Sequence, residues 1–166
     1  MRKLLLSLGL AGLLTTASFA QQGPKNAIGL RFGGNSGLGT EISYQRDLMR
    51  NNRLELNLGF RNNDDYNATK VTGIYEWVWT IEGNFDWYAG VGAAVGNYSY
   101  KYYNHSGKRY KDNGTFGLIT GTVGIEYTLN EIPLQIALDA RPELYLNNSY
   151  RDGLYIDFGV AVRYKF

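Results

Sequence analysis

The residues best suited to chemistry stand together in the polar stretch "YYNHSGKRYKDNG", where the single histidine of the chain, His105, precedes Ser106. A nucleophilic serine needs a base within hydrogen-bond reach and a third group that orients the base. Neighbouring residues on a strand point to opposite faces, so this pair is poorly placed unless the loop turns sharply. We therefore expect His105 to be a solvated loop residue and the chain not to be an enzyme.

A second group of residues that could do chemistry is Asp139, Arg141 and Glu143. These three stand at every second position, so they share one face of any extended strand. Two carboxylates can act as general acid and base, but an arginine between them favours charge neutralisation instead. One histidine and no cysteine supply no ligand cluster for a metal ion. We expect neither a metal site nor a cofactor.

The elements that position these residues follow a period of two. Apolar and polar residues alternate in eight segments that are separated by turn-rich polar clusters. An even number of such strands closes into an up-and-down barrel, so the predicted fold is all-β, an eight-stranded antiparallel transmembrane barrel. The segments cover residues 27–33, 38–48, 53–61, 70–82, 85–100, 116–129, 133–146 and 154–166.

The connections between these segments alternate in length. Those after the second, fourth and sixth segments are tight, whereas those after the third, fifth and seventh are longer and more polar, as in outer-membrane barrels. Pro142 lies inside the seventh segment and removes a donor from its ladder. We expect a bulge or the rim of the barrel at that position.

The start of the chain has the composition of an export signal. Two basic residues, an apolar run from Leu4 to Leu14 and a small-residue end at Ala20 follow one another. The run is too short to span a membrane as a helix. We predict a secretory signal peptide over 1–20 and one barrel domain over 21–166.

Charge and composition restrict the function further. Without the two basic residues of the signal, the acidic and basic residues are equal at 15 each, which argues against nucleic acid as a partner. The absence of cysteine leaves an exported domain that no disulfide stabilises. A mean hydropathy of -0.31 excludes a helical membrane protein but not a barrel of alternating strands.

Alternation alone does not decide which face of the barrel is inside. A soluble barrel would bury the apolar face, whereas a membrane barrel would bury the charged one. Aromatic residues near the strand ends, glycines between the charges and the narrow interior of eight strands favour the second arrangement. Paired charges fill such a lumen at little net cost. The predicted lumen network comprises Arg31, Glu41, Arg53, Glu55, Glu76, Glu126, Asp139, Arg141, Glu143, Asp157 and Arg163.

The export signal, the eight alternating strands and the closing aromatic Phe166 together resemble small outer-membrane barrels of the OmpA/OmpX type. The stretches "NAIGLRFGG", "WYAGVGAAVG" and "PLQIALDARPE" are similar to small outer-membrane barrels of Bacteroidota. This resemblance implies an integral, monomeric protein of the bacterial outer membrane. It also implies that the barrel-assembly machinery recognises the last strand, through Phe158, Val160, Val162, Tyr164 and Phe166.

The fold leaves several functions open. We expect a role in envelope structure or in surface interaction with an unknown partner. One alternative is an enzyme that modifies lipid A, because outer-membrane deacylases and acyltransferases of this fold use histidine, serine and a carboxylate near the outer rim. The other alternative is a soluble periplasmic barrel that binds a ligand.

The stretch around His105 also holds four cations beside several tyrosines. Charge-assisted hydrogen bonds to phosphate are among the stronger ones. In a barrel of the outer membrane, this cluster favours contact with the phosphates of lipopolysaccharide, in addition to the surrounding lipid. The alternative is an ordinary polar loop, since exposed charges individually contribute little. The four cations are Lys101, Lys108, Arg109 and Lys111.

Overall fold

The computed structural model describes residues 24–33, 39–62, 66–103, 109–146 and 153–166, without the side chains of 101–103, 109 and 111. In these ranges, eight antiparallel strands follow sequence order around one closed barrel, so the predicted fold class is confirmed. The predicted signal peptide lies outside the described residues. The strands are β1 (Asn26–Gly33), β2 (Thr40–Met49), β3 (Asn52–Asn62), β4 (Tyr66–Glu82), β5 (Phe85–Tyr103), β6 (Arg109–Thr128), β7 (Leu134–Tyr145) and β8 (Leu154–Lys165).

The barrel closes where β1 pairs with β8. Leu30 lies opposite Val162 on one side and opposite Ile42 of β2 on the other. At the end of the seam, the Asn26 amide donates to the Phe166 carbonyl at 3.0 Å, and the Phe166 amide donates back at 2.8 Å. The last residue of the chain therefore continues the β1–β8 pairing.

Tight turns join β2 to β3 and β4 to β5 at the end of the barrel where the chain enters. Gly83 has φ +57, a conformation that glycine adopts without steric cost. The strand register shifts beside both turns, between Asp47 and Met49 and between Thr80 and Glu82. The side-chain amide of Asn84 donates to the Thr128 carbonyl at 2.8 Å and so ties this turn to β6.

The apolar face of every strand points away from the barrel axis. Large apolar side chains such as Val91 and Phe158 are exposed, at 58 % and 67 %. On β4, β5 and β6 this apolar band covers positions 71–81, 85–95 and 117–127. With a rise of about 3.3 Å per residue and a tilt of about 40°, each range spans about 25 Å, the height of the lipid-facing band of outer-membrane barrels.

Two of the band's tryptophans stack near the short turns. Trp79 and Trp87 are cross-strand neighbours on β4 and β5, and their ring centroids lie 4.3 Å apart. Both are more than one-third exposed on the outer surface.

No helix of the described ranges is both long and apolar enough to cross a membrane.

Three strands are at least three residues longer than the sequence pattern predicted. β4 begins at Tyr66 rather than at residue 70, β5 reaches Tyr103 and β6 begins at Arg109 rather than at residue 116. The stretches interpreted as long loops after the third and fifth strands are therefore largely strand. The described outward residues there, such as Thr69, Asn97 and Thr115, are polar, so the apolar alternation ends although the ladder continues, and the pattern could not reveal these extensions.

Of the two arrangements expected at Pro142, a bulge or the barrel rim, the bulge does not form, and Pro142 lies three residues before the end of β7 at Tyr145. The β6–β7 pairs on its two sides, Thr120 with Glu143 and Val123 with Ala140, keep one register. On the other side, Pro142 lies opposite Ile156 in an uninterrupted β7–β8 ladder. A Cβ added at Gly121 would lie 3.3 Å from the Pro142 ring, so this glycine leaves the proline room without a change of register.

Candidate functional site: the charged lumen

The charged face of the barrel is buried inside it. All eleven side chains of the predicted network have relative exposures of 6 % or less, and Arg31, Glu55, Glu76 and Arg163 are at 0 %. They lie in three layers, which we name by distance from the short turns: the lower layer around Arg53, the middle layer around Glu55 and the upper layer around Arg31.

The lower layer is an arginine between two glutamates. Arg53 Nε donates to Glu76 Oε2 at 2.5 Å, and its two Nη groups donate to the two oxygens of Glu126 at 2.7 and 2.8 Å. Gln135 adds a hydrogen bond to Glu126 at 2.8 Å. The guanidinium also lies 4.7 Å from the centroid of the Tyr88 ring, a cation–π distance.

The middle layer converges on one carboxylate. Glu55 accepts from Arg141 Nη2 at 2.6 Å and from Arg163 Nη2 at 3.1 Å. Gln45 donates to its other oxygen at 2.8 Å, and the Ser43 hydroxyl lies at 3.2 Å. Arg141 on β7 faces Glu55 on β3 from the opposite wall, so this pair bridges the full width of the lumen.

The upper layer holds two cations and four carboxylates. Arg31 donates through Nε to Asp139 at 3.0 Å and through Nη1 to Asp157 at 2.8 Å. Lys70 donates to Glu143 at 2.6 Å and lies 3.3 Å from Glu41. Arg141 links this layer to the middle one, because its Nη1 donates to Glu41 at 3.2 Å.

An apolar layer covers the charges on the side of the long strands. Ala94, Phe116, Leu118 and Tyr145 form a buried cluster, against which Tyr98 and Tyr155 pack. The ring centroids of Phe116 and Tyr145 lie 5.7 Å apart. The charged layers are thereby separated from this end of the barrel by aromatic rings.

Glycines on the inner face make room for the large side chains. A Cβ added at Gly159 would lie 2.5 Å from the Arg31 guanidinium carbon, and one added at Gly124 would lie 2.5 Å from the Tyr88 ring. Both distances are too short for any real side chain. The glycine-rich inner face is therefore required by the arginine and tyrosine that fill the lumen.

Sequence reasoning missed one ion-paired residue, Lys70, and several polar residues that bind the network. Lys70 alternates correctly with Thr72, Ile74 and Glu76, but it stood at the boundary of the predicted strand. With it, the buried charges of the described residues are seven carboxylates and five cations. Correct placement of the strand start would have found it. The missed polar residues are Ser43, Gln45, Tyr88 and Gln135.

Other predicted residues lie at the outer surface or outside the description. Phe158, Val160, Val162, Tyr164 and Phe166 all face outward on the closing strand. His105, Ser106 and Lys108 lie outside the described residues. The backbone of Lys101, Arg109 and Lys111 belongs to β5 and β6, but their side chains are not described. In the described ranges, no group of three acidic, histidine or cysteine side chains is placed to hold a metal ion.

Solved structures of small outer-membrane barrels are similar to this chain in fold. The N-terminal barrel domain of Pseudomonas aeruginosa OprF has a TM-score of 0.62 at 15 % identity, covering 87 % of this chain and 100 % of that one. Neisserial surface protein A (NspA) has 0.60 at 14 %, covering 85 % and 94 %. Ail, the attachment invasion locus protein of Yersinia pestis, has 0.56 at 12 %, covering 88 % and 100 %.

These identities establish the shared fold alone. No protein-family model matches the chain, and no curated protein matches its sequence. The common architecture is the closed eight-stranded antiparallel barrel of outer-membrane proteins.

Proposed function

We propose that the chain is an integral, monomeric barrel of the bacterial outer membrane, exported through a signal over 1–20, that serves surface interaction or envelope structure without enzymatic activity. The outward apolar band of about 25 Å supports the membrane location. The inward charges support it too, because this barrel, if it stood in water, would expose its apolar side chains while it buried its charges.

The filled lumen argues against a pore. Pairs such as Arg141–Glu55 and Arg53–Glu126 join strands on opposite walls at 2.6 to 2.8 Å. The aromatic layer around Phe116 lies above them. Eight strands leave an interior only wide enough for side chains. We therefore expect no ion conductance from the protein in planar bilayers.

The observation that carries surface interaction is the projection of β5 and β6. The apolar band ends at Val95 and Gly117, yet the ladder continues to the pair Tyr103 and Arg109. At about 3.3 Å per residue, this adds more than 20 Å of hairpin beyond the band. Two of the similar structures are named for a surface protein and for attachment, which is consistent with display of such a projection.

Shortening the hairpin tests this proposal. Ser99 lies opposite Asn113, so a two-residue Asn-Gly turn can replace 100–112. We expect this variant to assemble, as shown by a heat-dependent gel shift, and to restore detergent resistance to a deletion strain, but not its attachment to surfaces. Full restoration of attachment would overturn the surface role and leave envelope structure.

The enzymatic alternative has a direct test. Lipid A mass spectra of a deletion strain, a strain with the wild type and a strain with His105→Ala should be identical. An acyl chain that is lost or gained only with the wild type would make the protein a lipid A modifying enzyme. It would overturn the non-enzymatic proposal.

Two partners belong to the same proposal. The barrel-assembly machinery is proposed to bind the last strand through Phe166 and the alternate apolar residues before it.

The phosphates of lipopolysaccharide are proposed to bind Lys101, Lys108, Arg109 and Lys111. Replacement of these four cations by glutamine should lower the amount of lipopolysaccharide that copurifies; an unchanged amount would contradict the second contact.

A further inference from the structure

The outer surface changes character abruptly along β4, β5 and β6. Val71, Val95 and Gly117 form the last apolar row, and the next outward row is Thr69, Asn97 and Thr115. The row beyond that is Asn67, Ser99 and Asn113. These six neutral polar residues line a groove of about 680 Å³, to which Phe60 and Arg61 of β3 also contribute. We call it the amide groove.

The amide groove lies where lipid head groups begin. On each strand, its first polar residue follows the apolar band by one outward position, so the groove is continuous with the lipid-facing surface. On β7 the apolar face instead continues to the strand end, where Leu144 and Leu146 are exposed. Among the described strands, two successive neutral polar rows above the band are a feature of the β4–β6 side.

The chemistry of the groove fits a sugar better than a phosphate. Amide and hydroxyl groups both donate and accept hydrogen bonds, as saccharide hydroxyls require. The described residues that line the groove include no carboxylate, and their one cation, Arg61, lies over the Tyr66 ring, with its guanidinium carbon 5.8 Å from the ring centroid. Ser99 Oγ is shielded from solvent and has no hydrogen-bond partner among the described residues.

We propose that the amide groove binds the saccharide head group of the glycolipid that surrounds the barrel in the outer leaflet. This rests on the outer-membrane location proposed above. This contact differs from the one proposed for the four cations, because the groove would bind the neutral sugar and the cations would bind the phosphate. The groove would give the β4–β6 side of the barrel a bound glycolipid that the β7 side lacks.

The test compares glycolipids that differ in their sugars. Purified protein in phospholipid nanodiscs is titrated with rough lipopolysaccharide, with lipid A that lacks the core saccharide, and with phosphatidylglycerol. We expect the wild type to bind lipopolysaccharide more tightly than the other two. In the double variant Asn97→Leu and Thr115→Val, that binding should weaken about tenfold, since two hydrogen-bonding groups are lost.

A matched variant separates the groove from surface polarity in general. Thr80→Val removes an exposed hydroxyl from the other end of β4, beside the short turn, and should leave lipopolysaccharide binding unchanged. Equal affinity of the groove variant and the wild type would overturn the proposal, as would an equal loss in Thr80→Val. A wild-type dimer in sedimentation that the groove variant abolishes would assign the groove to a second copy and also overturn it.

Failure of the location and failure of the groove give different results. Cell fractionation that places the protein outside the outer membrane contradicts the proposed function, whatever the titration shows. Correct location with no preference for lipopolysaccharide over lipid A contradicts the groove alone. A heat-dependent gel shift of the variant verifies that both substitutions leave the barrel folded.

Discussion

Arg53 on β3 and Glu126 on β6 form a bidentate ion pair across the lumen, with Nη1–Oε1 at 2.7 Å and Nη2–Oε2 at 2.8 Å. Both side chains are buried, and Arg53 also binds Glu76. Removal of the arginine would leave two buried carboxylates without their cation. Loss of one partner from such a pair is far more costly than replacement of both.

We therefore predict that Arg53→Ala lowers the free energy of unfolding by about 3–5 kcal/mol. Urea unfolding in phospholipid vesicles, followed by tryptophan fluorescence, measures this loss. Glu131→Ala, in the exposed turn before β7, is the control and should change it by less than about 0.5 kcal/mol. A similarly small effect of Arg53→Ala would show that the lower layer does not stabilise the barrel.

The two neighbouring glutamates of the lumen should respond differently to glutamine. Glu55 accepts from Arg141, Arg163 and Gln45, whereas Glu76 Oε1 has no hydrogen-bond partner in the described structure. Glu55→Gln puts a neutral amide, whose NH₂ group cannot accept a hydrogen bond, where these three donors converge. The urea midpoint of unfolding should therefore fall. In Glu76→Gln, the amide oxygen can still accept from Arg53 Nε and a like charge beside Glu55 is removed, so the midpoint should shift much less. Equal losses would contradict this assignment.

A side chain at Gly159 would force the Arg31 guanidinium to shift, because an added Cβ would lie 2.5 Å from its carbon. We predict that Gly159→Ala destabilises the barrel by about 1–3 kcal/mol, the usual cost of overpacking. Gly117→Ala is the matched control on the outer face, where a Cβ meets nothing nearer than Leu146 at 4.0 Å. Equal midpoints for the two variants would mean that Arg31 can move aside.

A cation on the outer face should be costly in proportion to its depth. Val91 lies at the centre of the band on β5, and Ile81 lies at its end on β4. In phospholipid vesicles, Val91→Arg should lower the free energy of unfolding by about 2–4 kcal/mol and Ile81→Arg by about 0–1 kcal/mol. Identical costs would contradict the position of the band.

The last residue should matter for assembly beyond its lipid contact. Phe166 and Phe32 are both exposed aromatics of the β1–β8 seam, at opposite ends of the barrel. We predict that Phe166→Asp lowers outer-membrane abundance more than Phe32→Asp, and that His105→Ala leaves it unchanged. Quantitative immunoblots of outer-membrane fractions measure this. Equal abundance of the two aspartate variants would leave no role for Phe166 as an assembly signal.

The sequence by itself determined the barrel and its two faces. Side chains alternate along a strand with a period of two, so residues such as Leu30 and Arg31 had to face opposite sides wherever apolar and polar residues alternated. The same period placed all eleven predicted charges on one face, and all eleven are buried. Strand number and chain order followed from the turns between the segments.

Only the tertiary structure decided which charges meet and where the strands end. Arg141 and Glu55 lie on β7 and β3, and their contact depends on the curvature and stagger of the closed barrel, which no local pattern encodes. The extension of β5 to Tyr103 depends on the β6 backbone, because hydrogen bonds between strands do not require an apolar face. The alternation of apolar and polar residues depends on the medium that surrounds a strand. The hydrogen-bond ladder between strands instead continues wherever a partner strand supplies backbone donors and acceptors.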